Sequence, residues 1–270
     1  MDVRRIDSPA NPLVKEIRKL RLRKYRLLEN AYFIEGLRIV GEALRTGQEV
    51  RHMLVCPQLL NSEYGRGLVE KAAADGINVI ETSADVFLSL AEKEHPQGIA
   101  AVIAARPAGL EAVRENPGIW VGLVDVQDPG NLGSILRSAD ASGARGVILL
   151  GQTTDPWHPT AARASTGALF TQIIVQAGLD DLEAFLQENP CHVVGALSQD
   201  AQDFREYNYP HEMILLLGSE QKGLPERYAA LCDGLIHIPM AGSVDSLNLA
   251  SAASIILFEI MHQNNGTHQT

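Results

Sequence analysis

The sequence predicts an α/β protein made of two α/β domains in series, and three observations carry this. Short apolar runs of strand length alternate with amphipathic runs of helix length along most of the chain. In the second half several runs, such as GVILL (146–150) and MILLLG (213–218), are unbroken, as expected of a parallel sheet covered on both faces. Between the halves, residues 106–117 gather two prolines, a glycine and four charges, which marks a linker. The expected division is a domain at 1–105, that linker, and a domain at 118–270.

In the first domain, the basic stretch KEIRKLRLRKYR (15–26) reads as helical, with Ile17, Leu20 and Leu28 turned inward and Lys15, Arg18 and Arg21 on one exposed side. FIEGLRIVGEAL (33–44) reads as a helix, HMLVCP (52–57) as a strand, and the segment up to Gly76 as a helix. Strand INVIE (77–81), helix ADVFLSLAE and strand IAAVIA (99–104) complete the series. The second domain opens with strand WVGLVD (120–125), followed by helix 131–142, strand 146–150, helix 160–168 and strand QIIVQ (172–176). Helix LDDLEAFLQ, strands 192–197 and 213–218, helix LPERYAALC, strand LIHIP (235–239) and a terminal helix from about Ser246 finish it, ahead of the polar tail NNGTHQT.

Composition narrows the function. No run of about 18 apolar residues exists, and the first twenty residues are polar and basic rather than signal-like, so a cytoplasmic protein is expected. Cys56, Cys191 and Cys232 are scattered beside strand-like residues, which predicts buried structural thiols and no metal site. The net charge of −10 is unevenly spread: residues 1–26 hold nine Lys or Arg against three acids. A basic arm on an acidic body suits a phosphate-bearing partner, although a solvated basic helix is the plainer alternative.

Three polar stretches fall at the ends of second-domain strands, where α/β proteins bind ligands. In DPGNLGSILRSADASG (128–143), Asn131 suits an N-cap, Arg137 lies at the edge of the buried helical face, and Gly133 has no helical merit unless a backbone approaches closely. In LLLGSEQKGLP (215–225), Glu220 follows an apolar strand; a solvated loop acid is its commoner fate. In IPMAGSVDSLNLASAASIILFE (238–259), Ser246 suits an N-cap with Asn248 in the first turn, and the run of Ala and Ser predicts close packing. The glycine fingerprint of a dinucleotide oxidoreductase is absent, and the histidines show no H-E-x-x-H spacing.

In this order and spacing, Asn131 to Arg137, LGSEQKGL (217–224) and IPMAGSVDSLN (238–248) resemble the three motifs of the SpoU/TrmH family of RNA ribose 2′-O-methyltransferases, within the SPOUT class. FIEGLRIVGEAL and EHPQGIAAV are similar to the RNA-binding domain that precedes the catalytic domain in many members. The resemblance implies a trefoil-knotted parallel-sheet catalytic domain and a smaller ribosomal-protein-like RNA-binding domain. It implies methyl transfer from S-adenosylmethionine to a ribose 2′-hydroxyl, in ribosomal RNA before transfer RNA, by a homodimer joined through the catalytic domain. A non-catalytic RNA-binding protein of the same fold is the alternative. The implied catalytic residues are Asn131, Arg137, Glu220, Ser246 and Asn248, with Asn131 and Glu220 fixing the Arg137 fork. The implied cofactor residues are Leu197, Leu217, Gly218, Ser219, Glu220, Ile238, Pro239, Met240, Ser246 and Leu247. Lys15, Arg18, Arg21, Arg23, Arg26 and Arg163 are expected to meet RNA. After the GALF run, where the family often has a basic residue, Thr171 and Gln172 stand instead.

Overall fold

The computed structural model describes residues 4–92 and 94–266; the last four residues of the tail lie outside that range. The chain forms two compact units, Met1–Arg106 with Trp157–Phe170, and Pro107–Pro156 with Thr171–Thr270. The units therefore do not follow the chain as two blocks, because fourteen residues from the second half pack with the first.

The first unit contains β1 (Arg4–Ile6), α1 (Pro12–Lys19), α2 (Arg23–Glu29), β2 (Ala31–Glu35), α3 (Leu37–Arg45), β3 (Val50–Val55), α4 (Glu63–Ala74), β4 (Val79–Thr82), α5 (Ala84–Leu90) and β5 (Ile99–Ala104). Its five-stranded sheet has the order β1-β4-β3-β5-β2, parallel from β1 to β3 and antiparallel from β3 to β2. Ile17, Leu20, Phe33, Leu54, Ile80 and Phe87 share its core. The segment FIEG, read from sequence as helix, is instead the end of strand β2, buried at every position, and its turn. Gly36, at φ 115°, makes that turn from strand to helix, a conformation that L side chains rarely adopt. The helix therefore starts only at Leu37.

The basic stretch is two helices rather than one. Asn11 caps α1 by accepting from the Leu13 N–H, and Pro12 sits at the first helical position. The chain breaks at residues 20–22, which resets the helical phase. Ile17 and Leu20 are buried as expected, but Leu28 is 68% exposed. Arg26 takes the inward place: it is 2% exposed and donates to the Leu20 and Arg21 carbonyls at 2.7 and 2.8 Å.

The second unit contains α6 (Glu111–Glu115, within the expected linker), β6 (Ile119–Val124), α7 (Pro129–Ala141) and β7 (Gly146–Leu150). The chain then contributes α8 (Pro159–Ala164) to the first unit, where the Trp157 and Tyr32 rings lie 6.3 Å apart. It continues in the second unit with β8 (Ile173–Ala177), α9 (Leu179–Glu188), β9 (His192–Leu197), β10 (Gln202–Asp203), β11 (Met213–Leu217), α10 (Glu226–Ala229), β12 (Gly234–His237) and α11 (Leu249–Gly266). All seven strands are parallel, in the order β10-β12-β9-β11-β6-β7-β8. Strand β11 thus enters between two strands formed earlier in the chain, β9 and β6. Its five residues are all buried, which is why they carry no polar alternation.

The cysteines fit the expectation only in part. Cys56 is buried, whereas Cys191 and Cys232 are half-buried, and burial still pushes the Cys232 thiol up to about 12. Among the described residues no cluster of side chains could hold a metal ion, and no helix is long and apolar enough to cross a membrane.

Candidate functional site

Because the second sheet is parallel, the carboxyl ends of β6, β9, β11 and β12 open on one edge. There the loops after β9, β11 and β12 enclose a pocket of about 440 Å³. Its walls include Leu197, Leu217, Gly218, Ser219, Glu220, Ile238, Met240, Ser246 and Leu247, nine of the ten residues expected to hold a cofactor. The tenth, Pro239, does not line the pocket and lies in the backbone between two residues that do.

The tightest constraint is at Gly218. A Cβ there would run into the backbone of Gly223 and Leu224. The loop doubles back on itself, with the Gly223 N–H donating to the Ser219 carbonyl at 2.9 Å. Strand β11 therefore ends in a closed turn whose inner surface is main chain.

A second cavity, of about 890 Å³, adjoins the first and shares residues 219–222 with it. At the common wall the three sequence stretches meet. Asn131 donates through Nδ2 to the Glu220 carboxylate, and its Oδ1 accepts from Asn248 Nδ2 at 3.0 Å. Residues 89 and 117 positions apart thus form one hydrogen-bonded chain.

Local structure explains why these side chains are available. Asn131 is not the helix cap: Asp128 is, with its Oδ1 accepting from the Asn131 N–H at 2.7 Å and Pro129 at the first position of α7. This releases the Asn131 side chain to reach across to Glu220. Likewise Ser246 does not cap α11. That helix starts at Leu249, and Asn248 Oδ1 accepts from the Ala250 and Ser251 N–H groups at 3.0 and 3.3 Å. Small residues do allow close helix packing, since Ser138 of α7 and Ser254 of α11 meet at 2.7 Å.

Arg137 stands apart. It is exposed, lines neither cavity, and makes no hydrogen bond or ion pair among the described residues. Six residues along a helix place it roughly 9 Å from Asn131 and about 120° around the axis. Asn131 and Glu220 bond to each other rather than to Arg137, so the expected fork does not form within this chain.

The expected RNA-contacting cations also divide. Lys15 and Arg23 are exposed, with no hydrogen bond or ion pair among the described residues. Arg18 donates to the Ser89 hydroxyl at 2.9 Å, and Arg21 to the Ser89, Leu90 and Ala91 carbonyls. Arg163 lies 3.3 Å from Glu92. Arg26, buried on carbonyls, cannot reach a phosphate. Thr171 donates to Asp140 and Gln172 to the Ala144 carbonyl, both within the second unit.

Sequence reasoning passed over Asp125. It adopts φ 53°, in the left-handed region, and its Oδ1 accepts from the Gln152 N–H at 2.8 Å. Gln127 bridges the Asp125 and Gln152 carbonyls. The one advance signal is an acid at the end of a strand that precedes a functional turn.

A pocket beside a polar cleft, at the carboxyl ends of central parallel strands, is where an α/β protein binds its ligands. Residues 118–258 match the model of the SpoU rRNA Methylase family, and residues 11–101 match that of an MRM3-like substrate binding domain. The chain belongs to the SpoU rRNA methylase family. It is 33% identical over 249 residues to a 23S rRNA (uridine(2479)-2′-O)-methyltransferase of Streptomyces viridochromogenes, covering 89% of this chain and 86% of that one. It is 30% identical over 259 residues to the 23S rRNA (guanosine(2553)-2′-O)-methyltransferase RlmP of Bacillus subtilis (strain 168), covering 96% and 99%. The AdoMet-bound rRNA methyltransferase of Sinorhizobium meliloti superposes with a TM-score of 0.85 at 34% identity, over 96% of this chain and 97% of that one.

Proposed function

We propose that this protein transfers the methyl group of S-adenosylmethionine to a ribose 2′-hydroxyl of ribosomal RNA. One observation carries the reading: Glu220, on the wall common to two adjoining cavities, accepts from Asn131, which with Asn248 lines the second, so one hydrogen-bonded chain links a pocket suited to the cofactor with a cleft suited to the acceptor. The relatives' names specify uridine in one case and guanosine in the other, so shared motifs fit the common ribose and not the base.

The pocket fits the cofactor in size and in its mixed lining, apolar at Leu197, Leu217, Ile238, Met240 and Leu247 and polar at Ser219, Glu220 and Ser246. When bound, the cofactor supplies an electrophilic methyl carbon on a sulfonium. The ribose 2′-oxygen would take that methyl group, the S–C bond breaking as the O–C bond forms, and its proton would leave to water in the open acceptor cleft. Gly218 and Ser219 hold the cofactor side, with Leu197, Leu217, Ile238, Met240 and Leu247 excluding water. Glu220 and Asn248 fix the Asn131 amide, which orients the ribose in line with the methyl carbon. Arg137 clamps a phosphate and polarises the hydroxyl; its guanidinium is already protonated and so cannot take up the proton.

The lone, exposed Arg137 suits a homodimer in which it serves the cleft of a second copy. Ile255 and Phe258, 39% and 45% exposed on α11, supply an apolar face beside α7 for that contact. The insertion of β11 between β9 and β6, and the small-residue packing of α11, support a trefoil knot. The first unit serves as the RNA-binding domain, with Lys15 and Arg23 as its available cations among those expected, and the protein works in the cytoplasm.

The test is transfer of radiolabelled methyl groups into unmodified 23S rRNA, ribosomal particles and tRNA. Label in ribosomal RNA, abolished by Arg137→Ala with cofactor binding retained, is expected. Cofactor binding with no label in any RNA or particle would overturn the reading, and label confined to tRNA would overturn the substrate.

A further inference from the structure

We propose that Lys222 and Arg227 form a phosphate-binding wall that holds the RNA strand beside the target ribose. The inference rests on the 2′-O-methyltransferase reading and names how the acceptor side of that site is recognised.

The acceptor cleft carries charges of both signs, and they are not equivalent. Its carboxylates are engaged: Asp125 accepts from the Gln152 N–H, Asp128 from the Asn131 N–H, and Glu220 from the Asn131 amide. The cations are not. Lys222 and Arg227 are exposed, line the same cleft, and make no hydrogen bond or ion pair among the described residues. Three carboxylates line the cavity, yet neither cation lies within ion-pair distance of one.

The Lys222 backbone and the Arg227 guanidinium are nevertheless both placed. Lys222 stands on the closed turn between Ser219 and Gly223, whose backbone is fixed by the Gly223 N–H bond to the Ser219 carbonyl. The Arg227 guanidinium lies 5.4 Å from the centroid of the buried Tyr228 ring, which orients it while leaving its N–H donors open. A fixed arginine and a nearby lysine, with their charges unspent, match a phosphodiester. In RNA the 2′-hydroxyl is vicinal to the 3′-phosphate, so a ribose presented to Asn131 necessarily brings phosphates into this cleft. The pocket next door offers no equivalent pair, because Arg227 does not line it.

Steady-state methyl transfer and equilibrium RNA binding across a salt series test this in Lys222→Ala, Arg227→Ala and the double variant, with Arg114→Ala as a surface control. Each single change is expected to raise the RNA KM about 5-fold and to lower the slope of log K against log salt by about 0.7, with cofactor Kd unchanged in Arg227→Ala, whose side chain does not line the cofactor pocket. Lys222→Glu and Arg227→Glu should lower RNA affinity further. An unchanged RNA KM and salt slope in an active double variant would overturn the inference alone. So would a rise in cofactor Kd for Lys222→Ala without a change in RNA KM, which would assign Lys222 to the cofactor carboxylate. If the wild-type protein transfers no methyl group to any RNA, the parent reading fails, and the binding series still decides whether these two cations hold RNA.

Discussion

Asn131 and Gly218 show how much of the site depends on single atoms. The amide of Asn131 donates with its nitrogen and accepts with its oxygen, and only an amide does both at this position. Asn131→Asp keeps the shape but sets a carboxylate against Glu220. Turnover is expected to slow by about two orders of magnitude, which is on the order of 3 kcal/mol of barrier, with cofactor affinity retained by calorimetry. Gly218→Ala acts on the other partner. Its methyl group has nowhere to go against the Gly223 and Leu224 backbone, so the turn must open, at about 1–3 kcal/mol. Loss of cofactor binding in a folded protein is the expected outcome; unaltered affinity would show that the turn yields freely.

Elements set where these atoms stand. Helix α7 begins at Pro129 because Asp128 caps it. Asp128→Ala should cost about 1 kcal/mol in chemical denaturation and should lower activity by more than this stability loss explains, since the cap also holds the Asn131 backbone. In the first unit, His52 on β3 pairs through Nδ1 with Asn78 Nδ2 at 3.0 Å. Burial first, and then Arg51 and Arg4, hold its pKa below the ordinary 6.5. The folded value being the depressed one, the unfolded chain binds the proton more readily. Stability from this group is therefore present above about pH 6.5 and is lost as pH falls through the folded value. The denaturation midpoint should drop across that window, and His52→Gln should flatten the drop.

At the scale of the whole molecule, the proposed dimer is the feature on which Arg137 depends. Phe258→Glu places a charge on the exposed apolar face of α11 and should give a monomer by light scattering, with transfer activity lost but the cofactor pocket intact. A wild-type protein that is already monomeric would remove this role for Arg137. The two-unit organisation also bears on what could be foreseen. Strands IAAVIA, GVILL and HVVGAL have the same bounds in sequence and structure; the first two are buried at every position, and a central strand covered on both faces is apolar from end to end. The segment 157–170 carries no such mark, and its packing with the first unit follows from surfaces on distant residues, among them Tyr32.

The α/β class, most strand positions, and the three polar stretches at strand ends with their glycines are all written in local sequence. Burial and turn chemistry act over a few neighbouring residues, so each leaves its trace there. Which polar groups are spent and which stay free is a matter of the folded chain alone. Folding makes Asp128 rather than Asn131 the cap of α7, and Asn248 rather than Ser246 the cap of α11. It also buries Arg26 on the Leu20 and Arg21 carbonyls and leaves Lys222 and Arg227 with open donors in the acceptor cleft. A side chain's hydrogen-bond partners can lie about a hundred residues away, and no local pattern records whether they are already taken.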